Sequence, residues 1–305
     1  MRLKKTKPRR LDGERRFNTI NVIGMILLSL ITLYPFWYCI ILSFNEGLDA
    51  IRGPLGLLPR KFTFDNYKFI LNSKRVLNAL GMSVLRTVVG VILTTTFTGI
   101  VAYGLSKRQI MGRKVYMMIF IVTMYFNGGM IPTYLNLKNL GLLNNFFVYV
   151  IPGMFTFYYA ILFMSYFESI PRSLEEAAEL DGANHFQVFF RVILPSALPI
   201  FATVALFEAV AQWNAWFDTL IYTSSDSLMT LQGIMSKMLQ QTQAIQEAQR
   251  QLSAGGAASV SAYATVQPAT IRVATMVVTV FPIAITYPFF QKYFVKGITL
   301  GAVKE

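Results

Sequence analysis

The chain has 305 residues, of which 54% are hydrophobic and only 14% charged, with a formal net charge of +13. A soluble domain carries roughly a quarter charged residues, so an ordinary soluble globule is excluded, and the basic residues fall mainly between long apolar runs, which argues for membrane topology and against a nucleic-acid-binding surface. A single cysteine, Cys39, excludes a disulfide framework within the chain, and a single histidine, His185, leaves no cluster with metal-ligand spacing.

A basic segment over residues 1–19 opens the chain, carrying Arg2, Lys4, Lys5, Lys7, Arg9, Arg10, Arg15 and Arg16. Beyond it, a bilayer core about 30 Å thick asks for about 20 apolar residues of helix per crossing, because lipid offers the backbone no hydrogen-bond partners. Six stretches meet that length and predict an all-α, polytopic bundle over residues 20–294: Ile20 to Phe44, Leu77 to Leu105, Val115 to Asn136, Asn145 to Phe167, Val192 to Tyr222 and Val273 to Phe294. The first exceeds the apolar part of a secretory signal, and no small-residue cleavage site follows it, so it reads as a retained span. Cys39 lies within it and reads as a small buried hydrophobe.

Between the first two spans, Gly53-Pro54 and Leu58-Pro59 punctuate an outer loop, and Phe64-Asp65-Asn66-Tyr67 reads as the start of a short interfacial helix. Arg52, Arg60, Lys61, Lys68, Lys74 and Arg75 in this loop run against the positive-inside rule. Lys107, Arg108, Arg113 and Lys114 obey it, placing the second-to-third connection in the cytoplasm with the N-terminal segment. An even span count puts the tail, residues 295–305, on the same side. Within the third span, Phe126-Asn127-Gly128-Gly129-Met130-Ile131-Pro132 predicts an interruption, either lining a pathway or forming an outer kink.

Residues 171–191 predict a cytoplasmic elbow of two short helices. Pro171 stops the preceding span, Ser173 with Glu176 forms a capping-box pattern, Ala177 and Ala178 favour helix, and Gly182 suits a left-handed helix end. Asn184 and Gln187 repeat the capping pattern, and the second helix runs toward Pro195. Glu168, Glu175, Glu176, Glu179 and Asp181 make this elbow acidic on an otherwise basic face, and Arg172 and Arg191 alone do not match them. The pattern suits an ordinary solvated amphipathic helix and also a docking surface for a basic or amide-rich partner. His185 reads as a helix-surface or interface residue.

An ion within a span costs about 2.5 to 3.5 kcal/mol on insertion scales and is normally turned inward, which singles out Arg86 and Glu208. Gln212, Trp213, Asn214, Trp216 and Asp218 add aromatic faces and hydrogen-bonding groups of the kind a sugar engages. The same residues suit interfacial Trp anchoring and helix-helix contacts. With Asn127, these eight are the candidate translocation-pathway residues. In the outer segment 223–272, Leu231, Ile234, Met235, Met238, Ile245, Ala248 and Leu252 recur at helical spacing opposite a Gln-rich face, ending at Gly255-Gly256. That helix either packs on its own protein or docks an external partner.

Glu176-Ala177-Ala178, then Gly182, then Val192-Ile193-Leu194-Pro195, resembles the EAA loop of permease subunits in binding-protein-dependent ABC importers, with Val192 standing where an Ile is usual. The tail from Phe294 to Lys304 and the Trp213-Asn214 pair resemble the carbohydrate branch, similar to the second permease of maltodextrin-type systems. The stretch from Phe126 to Leu135 resembles a subgroup associated with oligosaccharides released from complex polysaccharides, which brings in acidic sugars with Arg86 as a counter-charge.

The resemblance implies a type I importer permease fold in the bacterial cytoplasmic membrane, with both termini cytoplasmic. It implies a second permease, giving a heterodimer, two ATPase subunits and an extracellular solute-binding protein that delivers a sugar or oligosaccharide. Glu176, Ala177, Ala178, Asp181 and Gly182 would couple this chain to the ATPases. No phosphate cradle of the G-x-x-x-x-G-K-[ST] type occurs, so ATP and Mg belong to those partners, and this chain is expected to have no catalytic residue, metal or cofactor. A stand-alone secondary transporter or channel is the alternative, predicting uptake without an ATPase. A membrane enzyme acting on lipid-linked sugars would need acids or His clustered at one face, and the elbow alone has them, at a spacing suited to contact.

Overall fold

The computed structural model describes residues 12–240 and 268–302, which are helical apart from turns, irregular connections and one isolated bridge between Asn45 and Phe62. The chain forms two compact units. One holds the chain before Leu71 together with the C-terminal helix as far as Val277, and the other holds the remainder.

In the first unit, α1 (Asp12–Ser43) covers the first predicted span to within one residue of its end and extends it toward the N-terminus. A hairpin follows, closed by Glu46 donating to the Lys61 carbonyl at 2.9 Å and Thr63 to that of Phe44 at 2.8 Å. It leads to α2 (Asp65–Asn72), the short helix expected from Phe64-Asp65-Asn66-Tyr67. Rings of Phe44, Phe62, Phe64 and Tyr67 cluster beside it, Phe44 stacking on Phe62 and both meeting Phe64 edge to face. Two buried amides pin it: Asn66 Nδ2 donates to the carbonyls of Ser43 and Asn45 at 2.9 and 3.0 Å, and Asn45 Oδ1 accepts from the Lys61 amide at 3.0 Å. Arg60 pairs with Asp49 at 2.9 Å, Lys61 with Glu46 at 3.0 Å and Lys68 with Asp65 at 3.5 Å. In the second unit, Arg75 pairs with Asp226 at 3.1 Å. Four of the six cations that ran against the positive-inside rule thus stand beside a carboxylate, which removes most of their net charge.

The second unit is organised on α3 (Lys74–Ser106), against which the fourth and fifth predicted spans pack. Lipid supplies no hydrophobic drive between helices, so close approach at small residues does the work. A Cβ on Gly99 would sit 2.7 Å from Phe201 Cζ, and one on Gly90 would sit 2.9 Å from Gln212 Cδ. The third predicted span is broken as the sequence foretold. Helices α4 (Arg113–Tyr125) and α5 (Met130–Asn139) meet at 115°, with Gly129 at φ +88° and its amide donating to Asn127 Oδ1 at 2.9 Å.

The fourth predicted span needs correction. Instead of helix from Asn145, a 3-10 turn at Phe146–Tyr149 gives way to irregular backbone around Pro152 and Gly153, and α6 (Phe157–Phe167) has only 11 residues. Carbonyls freed there are satisfied from α3: Thr94 donates to Gly153 at 3.2 Å and Thr98 to Met154 at 3.3 Å. Irregular backbone is tolerable at membrane depth where protein supplies such partners.

After α7 (Arg172–Leu180) and α8 (His185–Val188), a π-helical turn at Phe189–Ile193 leads into the fifth predicted span, which also departs from expectation. It does not start at Val192: the chain bends by 82° at Ala197, between Pro195 and Pro199, neither of which can donate a backbone bond. It then continues as α9 (Leu198–Asn214), breaks at Ala215 and Trp216, and resumes as α10 (Phe217–Tyr222).

Residues 231–240 form α11, whose Leu231, Ile234 and Met235 are buried, with Ile234 packed alongside Ala79 and Met229. This part of the outer segment packs on its own protein. Ile245, Ala248, Leu252 and Gly255-Gly256 lie outside the described residues. The last helix, α12 (Pro268–Ala302), covers the sixth predicted span. Among the described residues three helices are long and apolar enough to cross a membrane, or up to five if each bent pair is one span, with α6 as a further short apolar helix.

Candidate functional site

Two constellations emerge from the predicted residues. The first is the elbow, which has an exposed acidic half and a buried apolar half. Helix α7 starts two residues earlier than the Ser173 cap implied: Pro171 is its N-cap and no side chain caps it, so Ser173 sits inside the helix. Pro171 supplies the fixed φ, and its carbonyl already accepts the Leu174 amide at 3.2 Å. The end forms as expected. Gly182, at φ +84°, donates to the Glu179 carbonyl and Ala183 to that of Ala178, each at 3.0 Å, which is a Schellman closure. The Asn184–Gln187 capping box is complete, both bonds measuring 2.9 Å.

Among the expected coupling residues, Glu176, Ala177, Asp181 and Gly182 face outward, while Ala178 turns in and packs with Ala183 against the core. Val188, Phe189, Ile193 and Ala197 insert fully into that core beside Tyr103, Phe163 and Phe167. The elbow's acids are matched better than Arg172 and Arg191 suggested. Lys107 pairs with Glu175, and Arg113 with Glu168 at 3.3 Å, while Arg113 Nε donates to the Leu105 carbonyl at 2.6 Å. Burial lowers the Lys107 amine below the ordinary lysine range, with Glu179 raising it in part and Arg172 adding to the depression. His185 Nδ1 stands 3.5 Å from Glu179 Oε1. Sequence reasoning missed the apolar tips of this surface, Leu180 at 89% and Phe186 at 68% exposure. Their signal was two large apolar residues on either side of Gly182, in a stretch otherwise rich in acidic and small residues.

The second constellation joins four of the eight pathway candidates into one network. Arg86 Nε donates to Gln212 Oε1 at 2.8 Å, and Gln212 Nε2 donates to Glu208 Oε1 at 2.7 Å. Arg86 Nη1 donates to Asp218 Oδ1 at 3.0 Å and Nη2 to Asp218 Oδ2. The Thr94 hydroxyl, whose one proton serves either the Gly153 carbonyl or Glu208 Oε1 at 3.3 Å, borders the network, and the Arg86 guanidinium lies 4.6 Å from the Tyr149 ring centroid. Thr94, Tyr149 and Gly90 were not singled out from sequence, because their roles come from packing across the bundle.

The other four separate. Trp213 is buried and donates Nε1 to the Thr279 carbonyl at 3.0 Å, a packing contact. Asn127 serves the α4–α5 break. Asn214 and Trp216 are exposed, and with Ala211, Ala215, Phe217 and Asp218 they line an open cavity of about 450 Å³. That cavity offers indole and phenyl faces beside an amide and a carboxylate, the combination that grips a sugar ring and its hydroxyls.

A family model described as "Binding-protein-dependent transport system inner membrane component" matches residues 95–300. The polygalacturonan/rhamnogalacturonan transport system permease protein YtcP of Bacillus subtilis (strain 168) is 33% identical over 290 residues, 95% of this chain and 99% of that one. Protein LplC of the same organism is 35% identical over 295 residues, 95% of each chain. Among solved structures, a chain from a bacterial ABC transporter involved in the import of the acidic polysaccharide alginate superimposes with a TM-score of 0.82 at 31% identity, covering 94% of this chain and 100% of that one.

Proposed function

Because this chain belongs to the family of inner membrane components of binding-protein-dependent transport systems, we propose that it forms one half of the passage through which an oligosaccharide enters the cell. It is a permease and not an enzyme; ATP hydrolysis occurs in separate ATPase subunits, and we assign ATP and Mg to them. The carbohydrate assignment rests on the relatives, whose names include a polygalacturonan/rhamnogalacturonan system and an alginate importer. It is supported by the cavity lined by Asn214, Trp216, Phe217 and Asp218. Behind this lining, Arg86, Glu208, Gln212 and Trp213 form the buried wall of the passage, and Asn127 marks its outer rim.

The observation that carries the coupling mechanism is the two-sided elbow. Its outward face, with Glu176, Ala177, Asp181 and Gly182, docks an ATPase subunit, and Ala178 transmits the contact inward. Its other side is embedded among Tyr103, Phe163 and Phe167, so a shift of the docked ATPase reaches the membrane core through packed atoms. The passage then alternates between two packings, biased by differential binding of the partners in each nucleotide state. We place the elbow, residues 1–19 and residues 295–305 in the cytoplasm, on the side of Lys107 and Arg113, with six crossings in which the short α6 is completed by residues 150–156. The partners are a second, different permease, two ATPases and an extracellular solute-binding protein.

The test is reconstitution with a second permease, the ATPases and the receptor. ATPase activity should rise when the sugar-loaded receptor is added, and Glu176→Lys should abolish that rise while leaving membrane insertion intact. Uptake by the purified chain with no ATPase present would instead establish a stand-alone secondary transporter.

A further inference from the structure

Arg86 is 3% exposed and lies within a membrane span, where every unmet donor is costly. All three nitrogens of its guanidinium are engaged. Nε donates to Gln212 at 2.8 Å, Nη1 to the Ala215 carbonyl at 3.3 Å and to Asp218 at 3.0 Å, Nη2 to the second Asp218 oxygen, and its flat face lies over Tyr149. Those acceptors straddle one feature of the chain. Gln212 is in the last turn of α9, Ala215 is the extended residue at its end (φ −71°, ψ 122°), and Asp218 is in the first turn of α10. Breaking a helix frees carbonyls that lipid cannot satisfy, and Arg86 reaches across from α3 to bind one of them and to fasten both flanking helices.

We infer that Arg86 is a positioning residue that fixes the α9–α10 break, and through it the placing of Asn214, Trp216 and Asp218 around the cavity, rather than a counter-charge for an acidic sugar. A guanidinium already paired bidentately with a carboxylate has little net charge to offer a ligand. The planar fork matters here: a lysine carries the charge but cannot bridge three acceptors in fixed directions. The transport consequence rests on reading the cavity as the passage; the structural claim about the break does not.

The test exploits the single cysteine. In the assembled transporter carrying Cys39→Ser, Ala215→Cys places a thiol in the break, and its rate of reaction with a membrane-impermeant maleimide reports the local arrangement. Arg86→Gln, Arg86→Lys and Asp218→Asn should each change that rate by about fivefold or more, the signature of a local structure whose opening has been eased. Uptake of a neutral and of a uronic-acid oligosaccharide should fall by the same factor, with KM rising more than Vmax falls. Unaltered labelling together with a loss confined to the uronic-acid sugar, or full rescue by Arg86→Lys, would overturn the inference. Should the single variants fail to insert, the Arg86→Leu, Asp218→Leu pair replaces both charges with apolar groups, an exchange membrane and soluble cores tolerate better than a lone buried charge. Parental labelling in that pair would equally overturn it, and altered labelling would support it. If no variant, parent included, transports sugar, the labelling rates still decide.

Discussion

At the scale of single residues, the most informative positions are glycines on α3, because their value depends on what stands opposite. Gly99 faces Phe201, whose ring would lie 2.7 to 2.8 Å from an added Cβ, whereas Gly104, one and a half turns on, meets nothing within 4 Å. Gly99 is interior to α3 and Gly104 lies in its last turn, so both carry a helix-propensity cost but only Gly99 meets a neighbour, and substitution should separate packing from propensity. Gly99→Ala is expected to destabilise by about 1–3 kcal/mol through overpacking, while Gly104→Ala gains up to about 1 kcal/mol of helix propensity. Thermal unfolding in detergent should therefore move the two variants in opposite directions from the parent. Equal shifts would mean that α3 and α9 do not approach as closely as this packing requires.

At the scale of elements, the informative one is the stretch that is not helical. Residues 150–156 sit between a 3-10 turn and α6, and their carbonyls at Gly153 and Met154 are met by Thr94 and Thr98. Replacing both threonines with valine keeps shape and removes two donors, leaving half-buried acceptors unmet at the lower end of about 1–3 kcal/mol each. The Thr94→Val, Thr98→Val pair should lower stability in detergent by more than the sum expected of two surface changes, and hydrogen exchange should quicken around Gly153 before it does in α6. Unchanged exchange there would refute the role given to the hydroxyls. The same stretch marks the limit of what the sequence made legible. Continuous spans such as α1, α3 and α12 were readable because length and apolarity alone define them. The breaks at Gly129 and Gly182 were readable because left-handed backbone calls for glycine. The irregular approach to α6 was not, since its hydrogen-bond partners lie 59 and 56 positions earlier in the chain. The network around Arg86 was half legible: its charged and amide members stood out by type, but Thr94, Tyr149 and Gly90 carried no local signal, and neither did the pairing of Arg86 with Asp218, which turns a candidate counter-charge into a clasp.

At the scale of the whole molecule, the proposed coupling requires that a displacement of the elbow reach the helices packed behind it. Val188, Phe189 and Ile193 carry the elbow into the aromatic cluster of Tyr103, Phe163, Phe167 and Phe201, and Phe201 in turn bears on Gly99 of α3. A second tie runs outside that core, where Lys107, just past the end of α3, pairs with Glu175 while lying 4.4 Å from the Tyr103 ring centroid. Arg113 pairs with Glu168 at the C-terminal end of α6, so the second-to-third connection is tied to the first elbow helix through Lys107 and to the helix before it through Arg113. Core packing holds α7 through Ala178 and Ala183, and the Lys107–Glu175 pair adds a direct link from α7 to the end of α3, which we propose couples the displacement of one to the other. Lys107→Ala should therefore leave ATP hydrolysis by the assembled transporter running while uptake per ATP falls by about tenfold, a coupling loss of the size typical for linked sites. Lys107→Glu should be worse, because Glu175 would then face a like charge, and combining it with Glu175→Lys should recover most of the coupling by restoring the pair in reverse. Full coupling in Lys107→Ala would show that the buried half of the elbow transmits the motion by itself, through Phe189 and its neighbours.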